Sequence, residues 1–178
     1  MRAVEPVYLK EYLNIDPKQF GRVIWEKYQE LPDATIAVDA DGPGLATALE
    51  LEELGANVVR IHWGRPPHSQ ADKKRYQDQR AYACVEVRKA VFDGRMKLAK
   101  GAKSAEQASK IPYSIDRRGR YVIMPKAQMP KSPDIFDTHA FFFLCDYIPC
   151  NEAKGQAQEQ DDMLKWAKAI LELSLIHI

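Results

Sequence analysis

The 178-residue sequence predicts an α/β fold, and three features carry that expectation. Two short apolar runs, residues 35–38 and 58–62, flank an amphipathic stretch. Strand, helix and strand joined by short connections make a parallel βαβ unit. Two β-rich runs, 111–115 and 120–124, flank Asp116-Arg117-Arg118-Gly119, a hairpin turn with glycine available for the left-handed position. Most of the remaining chain has helical periodicity.

Each element follows from local chemistry. Asp16 as N-cap and Pro17 in the first turn open a helix whose apolar face is Phe20, Val23, Ile24, Tyr28 and Leu31. Leu31-Pro32-Asp33 ends it. The continuous apolar run 35–38 is expected to be a strand buried on both faces. After Gly42-Pro43-Gly44, a second helix presents Leu45, Ala48, Leu49, Leu51 and Leu54, and Gly55 closes it. The next strand is 58–62, followed by a proline-containing loop at 64–69. Residues 72–92 read as one long helix, with Tyr82, Val85, Val87 and Val91 inward and Asp93-Gly94 as its stop. A short extended piece at 96–98 and a polar surface helix or loop at 100–110 lead into the hairpin. Pro133 then starts a helix that carries Asp134, Asp137 and the run Phe141-Phe142-Phe143. Residues 151–162 are poor in hydrophobes and expected to be flexible, and 163–171 resume as an amphipathic helix. No internal repeat is present.

Composition bounds the function. A hydrophobic content of 46% suffices for a core, and a net charge of +1 excludes a generally polybasic chain, so nucleic-acid binding would need a local patch. Three cysteines without Cys-x-x-Cys spacing argue against a zinc site or disulfide framework. No apolar run reaches transmembrane length, so no membrane partner is expected.

Two acidic clusters point to chemistry. Ile36-Ala37-Val38-Asp39-Ala40-Asp41-Gly42-Pro43-Gly44 is a strand ending in carboxylates and a glycine turn. Ser132-Pro133-Asp134-Ile135-Phe136-Asp137 puts two carboxylates at i and i+3 on one helix face. Hard divalent cations take such oxygen ligands, and paired ions can drive phosphodiester hydrolysis. The alternatives are that Asp39 only caps the following helix, and that Asp137 is a solvated helix residue. Against the second stands the apolar company of Asp137, where an unpaired carboxylate is costly. Asp41 either binds through water or faces away. His139 projects to another helix face, and the His62-Trp63-Arg65-His68 rim reads as a surface loop.

Four stretches together resemble a known family. They are 36–44 with the helix after it; Asp72-Lys73-Lys74-Arg75-Tyr76 through Ala81 and 91–95; Ile111-Pro112-Tyr113 with Gly119-Arg120 and the Pro125-Lys126 to Met129 linker; and Ser132-Pro133-Asp134-Ile135-Phe136-Asp137. In order and spacing they are similar to the C-terminal nuclease domain of the large terminase subunit of tailed bacteriophages. The resemblance implies an RNase H-like mixed sheet flanked by helices, its first three strands antiparallel, with a β-hairpin insertion before the last acidic helix. It implies a DNA endonuclease cutting concatemeric double-stranded DNA with two Mg²⁺ or Mn²⁺ ions. Asp39, Asp137 and Asp134 would be the catalytic metal ligands. Independently of the resemblance, Arg117, Arg118 and Arg120, three cations on one turn, and Arg75 are candidate DNA contacts, the alternative being ordinary surface charge. The resemblance further implies an upstream ATPase domain, portal and small-terminase partners, and the cytoplasm of an infected bacterial host.

The expected organisation is a nuclease domain over 1–147 lacking its first strands, a flexible tail and short helix over 148–172, and adapter-derived residues at 173–178. The family's first catalytic aspartate has no match here, so an incomplete and weakly active site is expected. Two other readings remain: a non-catalytic interaction module of a packaging motor, and another RNase H-like nuclease of resolvase or transposase type.

Overall fold

The computed structural model describes residues 10–31, 33–98 and 103–145, so the expected tail, its helix at 163–171 and the terminal residues lie outside the described residues. Helix α1 (Pro17–Tyr28) starts where expected, its first turn capped by Asp16 Oδ1, which accepts from Lys18 N at 3.0 Å and Gln19 N at 3.1 Å. Strand β1 (Ile36–Asp39), helix α2 (Gly44–Glu53) and strand β2 (Val58–Ile61) form the βαβ unit. The two strands are parallel, with Ile36 opposite Val58 and Asp39 opposite Ile61. Helices α1 and α2 bury Tyr28, Ala48, Leu51 and Ala56 against Val58.

Two glycines fix the geometry of this unit. A side chain at Gly44 would put its Cβ 1.8 Å from the Asp39 carbonyl oxygen, so α2 can start this close to the end of β1 only with glycine. Gly55 has φ of +90°, the left-handed exit that ends α2.

The expected single helix over 72–92 is two helices, α3 (Gln70–Arg75) and α4 (Gln79–Phe92). Tyr76 between them is extended, with φ −130° and ψ 141°, and is fully buried. Its ring packs edge-on to Tyr82 at 5.4 Å and stacks with Tyr121 at 6.0 Å. Burying an aromatic side chain contributes about 2–3 kcal/mol. Asp78 Oδ1 caps the new helix by accepting from Ala81 N at 2.8 Å, worth about 1 kcal/mol. Gln77 N donates to Tyr121 O at 3.0 Å, replacing one helical bond lost at the break. Burial plus the cap therefore outweighs helix continuity. Of the expected inner face of this segment, Tyr82, Val85 and Val87 are buried, while Val91 is 40% exposed near the helix end.

Helix α5 (Lys103–Ser109) precedes the hairpin of β3 (Tyr113–Ile115) and β4 (Tyr121–Ile123), which are antiparallel with Gly119 at φ +77°. A 3₁₀ turn (Lys126–Gln128) then leads to helix α6 (Asp134–Cys145). The main core lies where α4 and α6 meet β2, around Val59, Ile61, Tyr76, Val87, Ala140 and Leu144. The architecture is mixed α/β with the hairpin inserted before the acidic helix. The antiparallel first strands have no counterpart among the described residues.

Strand β1 is half-buried along its whole length instead of buried on both faces. Among the described residues it pairs on one edge only, with β2. Ala37, Val38 and Asp39 line a depression of about 460 Å³, and that places Asp39 at its surface.

Candidate metal centre

The depression is built from four pieces of chain. Strand β1 delivers Asp39 at its end, α6 delivers Asp134 and Asp137 from its first turn, the 3₁₀ turn contributes Lys126, and the start of α2 supplies Gly44 and Thr47. Asp137 is 2% exposed and lies on the face of α6 turned toward the core. Residues 39 and 137 are nearly a hundred positions apart, yet both carboxylates meet one ammonium. Lys126 Nζ is 3.1 Å from Asp39 Oδ2 and 2.8 Å from Asp137 Oδ2.

Asp39 does not cap α2, whose N-cap position is Pro43 without a side-chain bond. Its Oδ1 accepts from Asp41 N at 3.2 Å, and its Oδ2 accepts from the indole Nε1 of the buried Trp63 at 2.9 Å. The indole bond fixes the carboxylate toward the depression. Asp41 turns away: its oxygens accept from Trp63 N at 3.1 Å and lie 2.9 Å from His62 Nδ1. Trp63 is thus part of the site and not of a surface rim.

Asp137 is removed from water and compensated chiefly by charge. Neither of its oxygens has an aligned hydrogen-bond donor, and its partners are two charges: Lys126 at Oδ2 and Arg80 Nη2 at 3.7 Å from Oδ1. Burial raises its pKa above the ordinary carboxylate value, and Lys126 and Arg80 oppose that rise without cancelling it. For Lys126, burial pulls the pKa down, but its contacts with Asp137 and Asp39 win and leave it above the ordinary lysine value. The outcomes differ because the Asp137 side chain is 2% exposed and that of Lys126 30%.

Buried carboxylate oxygens held only by two cationic side chains, beside a second fixed carboxylate, are a donor set that suits a hard divalent cation. Asp39 and Asp137 are the side chains that would hold it. Asp134, exposed and bonded to Ser132 Oγ, lines the same depression one turn earlier. Among the described residues no three acidic, histidine or cysteine side chains stand close enough together to bind a metal. A third carboxylate would have to come from elsewhere.

The candidate DNA contacts separate into two kinds. Arg117 and Arg118 are exposed at the hairpin turn, and Arg75 is exposed at the end of α3. Arg120 is half-buried and paired with Asp116 at 2.8 Å, which ties down the turn. His139 lies off the depression, its Nδ1 2.8 Å from Ile135 O.

Sequence reasoning missed three participants: Lys126, Trp63 as a donor, and Arg80. Lys126 lies in the linker between hairpin and acidic helix, but nothing local marks a lysine as the partner of a carboxylate 87 residues upstream.

No family model matches the chain. It is 40% identical over 93% of its length to the probable large terminase subunit of Enterobacteria phage P7. It spans about a third (35%) of that relative's own length. Two solved structures share its fold. The nuclease domain of the large terminase subunit gp2 of bacterial virus Sf6 matches with a TM-score of 0.59 and 17% identity, over 74% of each chain. A lysine-to-alanine mutant of that domain with manganese matches with a TM-score of 0.61 and 15% identity, over 74% of this chain and 75% of that one. The chain is therefore similar to about a third of that large terminase subunit and shares the fold of a terminase nuclease domain.

Proposed function

We propose that this chain is the metal-dependent endonuclease module of a viral DNA-packaging terminase, cutting concatemeric double-stranded DNA. One observation carries the reading: carboxylates from a strand end and a buried helix face, Asp39 and Asp137, converge on a single cation, Lys126, and both oxygens of the buried one lack aligned donors. The fold shared with a manganese-containing terminase nuclease domain supports it.

Bound Mg²⁺ or Mn²⁺ ions, two in the full site, supply water activation and stabilisation of the departing 3′ oxygen. The chain's own residues do the rest. Trp63 holds Asp39 in place, and the rigid first turn of α6 fixes Asp137 and Asp134. Lys126 neutralises the carboxylates before an ion arrives. Arg117, Arg118 and Arg75 offer exposed charges to the DNA backbone. An ATPase domain, the portal and the small terminase subunit belong to the same reading as partners, as does the host cytoplasm as the place of action.

The test is Mn²⁺-dependent relaxation of supercoiled plasmid by this chain within its longer polypeptide, compared with Asp137→Asn. Loss of cutting with an unchanged far-UV spectrum and cooperative melting supports the reading. Undiminished cutting by the variant overturns it. Absence of any Mn²⁺-induced thermal shift in the parent would instead favour a docking module whose acidic residues are structural.

A further inference from the structure

Arg80 is the other cation beside Asp137, and its situation differs from that of Lys126. It sits in the first turn of α4 and is 5% exposed. Its Nη1 donates to Met124 O at 2.8 Å, and its Nη2 lies 4.0 Å from Met129 Sδ and 3.7 Å from Asp137 Oδ1. Met124 and Met129 bracket the turn that carries Lys126. One planar guanidinium therefore touches both ends of that turn and faces the carboxylate Lys126 pairs with. Its own backbone is held too, since Arg80 N donates to Trp63 O at 3.2 Å, next to the indole that fixes Asp39.

We propose that Arg80 is a positioning residue that holds the Lys126 turn over the metal site, so that Lys126 competes with the divalent ion from a fixed backbone. This rests on the metal-nuclease reading above. Arg80 is the less mobile charge, buried and held by the Met124 carbonyl, with Met129 Sδ and Asp137 at longer range. Lys126 is the exchangeable one, because its flexible stem can swing its head to solvent while the turn stays in place. A lysine at position 80 keeps the positive charge but has one donor centre in place of a planar fork, and it cannot reach Met124 O, Met129 and Asp137 together. The turn then loosens and Lys126 spends less time between the carboxylates. The consequence has a definite sign: a loosened turn weakens the competitor and so strengthens ion binding.

The probe is Mn²⁺ alone, followed by quenching of Trp63, whose indole touches Asp39, with Trp25 and Trp166 replaced by phenylalanine. Arg80→Lys is expected to tighten Mn²⁺ binding about 5-fold, a coupling of ordinary size for residues in one network. In a Lys126→Met background the same substitution is expected to change nothing, because no competitor remains to be released. A residue serving only to keep the site folded would weaken Mn²⁺ binding in both backgrounds, and that result overturns the proposal, as does unchanged binding when Lys126 is present. If Arg80→Lys fails to melt cooperatively, Arg80→Gln, which shortens the stem and removes the charge, is read by the difference between the two backgrounds, because loss of the charge acts on the ion in both. Should neither the parent nor Lys126→Met bind Mn²⁺ at all, the metal-site reading falls and this proposal with it. Binding by the parent without the predicted background dependence sinks the Arg80 proposal alone.

Discussion

Replacing Lys126 with methionine keeps the length of the stem and removes the ammonium that two carboxylates share. At 2.8 Å from Asp137 and an effective dielectric of about 20, the gross attraction is about 6 kcal/mol. Desolvation offsets much of it, and removing one partner of a buried pair costs about 3–5 kcal/mol. The Lys126 side chain is 30% exposed, so the expected loss in metal-free buffer is at the low end, about 2–3 kcal/mol. Mn²⁺ should then restore what the ammonium supplied. At a hundred times its Kd an ion that binds only the folded state adds about 2.7 kcal/mol. In a domain of this size that is a rise in Tm of about 5–10 °C. In the parent the ion must first displace Lys126, so the rise at the same Mn²⁺ concentration should be clearly smaller. Scanning fluorimetry of parent and variant over a Mn²⁺ series decides it. Equal shifts in the two proteins would refute the idea that Lys126 occupies the ion's position.

Asp137→Asn removes a carboxyl that burial holds above its ordinary pKa. A raised folded-state pKa means the fold favours the protonated form, so stability is greatest below the ordinary carboxylate range and declines as pH rises through the raised value. A tenfold difference in proton affinity between the folded and unfolded chains corresponds to about 1.4 kcal/mol. The variant should flatten that part of the Tm-against-pH curve, and an unaltered curve speaks against a protonation-linked Asp137. Gly44→Ala places a Cβ 1.8 Å from the Asp39 carbonyl, a backbone clash expected to cost about 2–3 kcal/mol by urea titration. A neutral result would show that α2 is free to shift. Cys84 is buried and its thiol pushed up to about 12, so it should resist iodoacetamide at pH 8 until the protein is denatured, while the half-exposed Cys145 is labelled. Peptide mapping reads both, and rapid native labelling of Cys84 contradicts its placement. Arg117→Glu with Arg118→Glu should weaken duplex DNA binding at low salt and flatten its salt dependence without moving Tm, and unchanged affinity removes the hairpin from the interface.

Local chemistry was sufficient for most elements. Asp16-Pro17 started α1, Gly55 ended α2, and Asp116 to Gly119 turned the hairpin, because caps and left-handed turns depend on neighbours in sequence. The break at Tyr76 was not legible. A tyrosine amid helix-forming residues reads as helix, and only Tyr82 and Tyr121, with β4 alongside, make the extended conformation favourable. The half-burial of β1 was equally invisible, since an apolar run records preference for burial and not whether both edges and faces are covered.

At the site the division has the same cause. Short-range periodicity is enough to show that Asp39 ends a strand before a glycine turn and that Asp134 and Asp137 share a helix face. Tertiary structure alone decided that Asp39 and Asp137 meet, that Trp63 aims one and Arg80 faces the other, and that Lys126 stands between them. Charge pairing across 87 residues has no local pattern. It arises because β1, α4 and α6 pack around one core and leave two carboxylates too close together to remain without a cation.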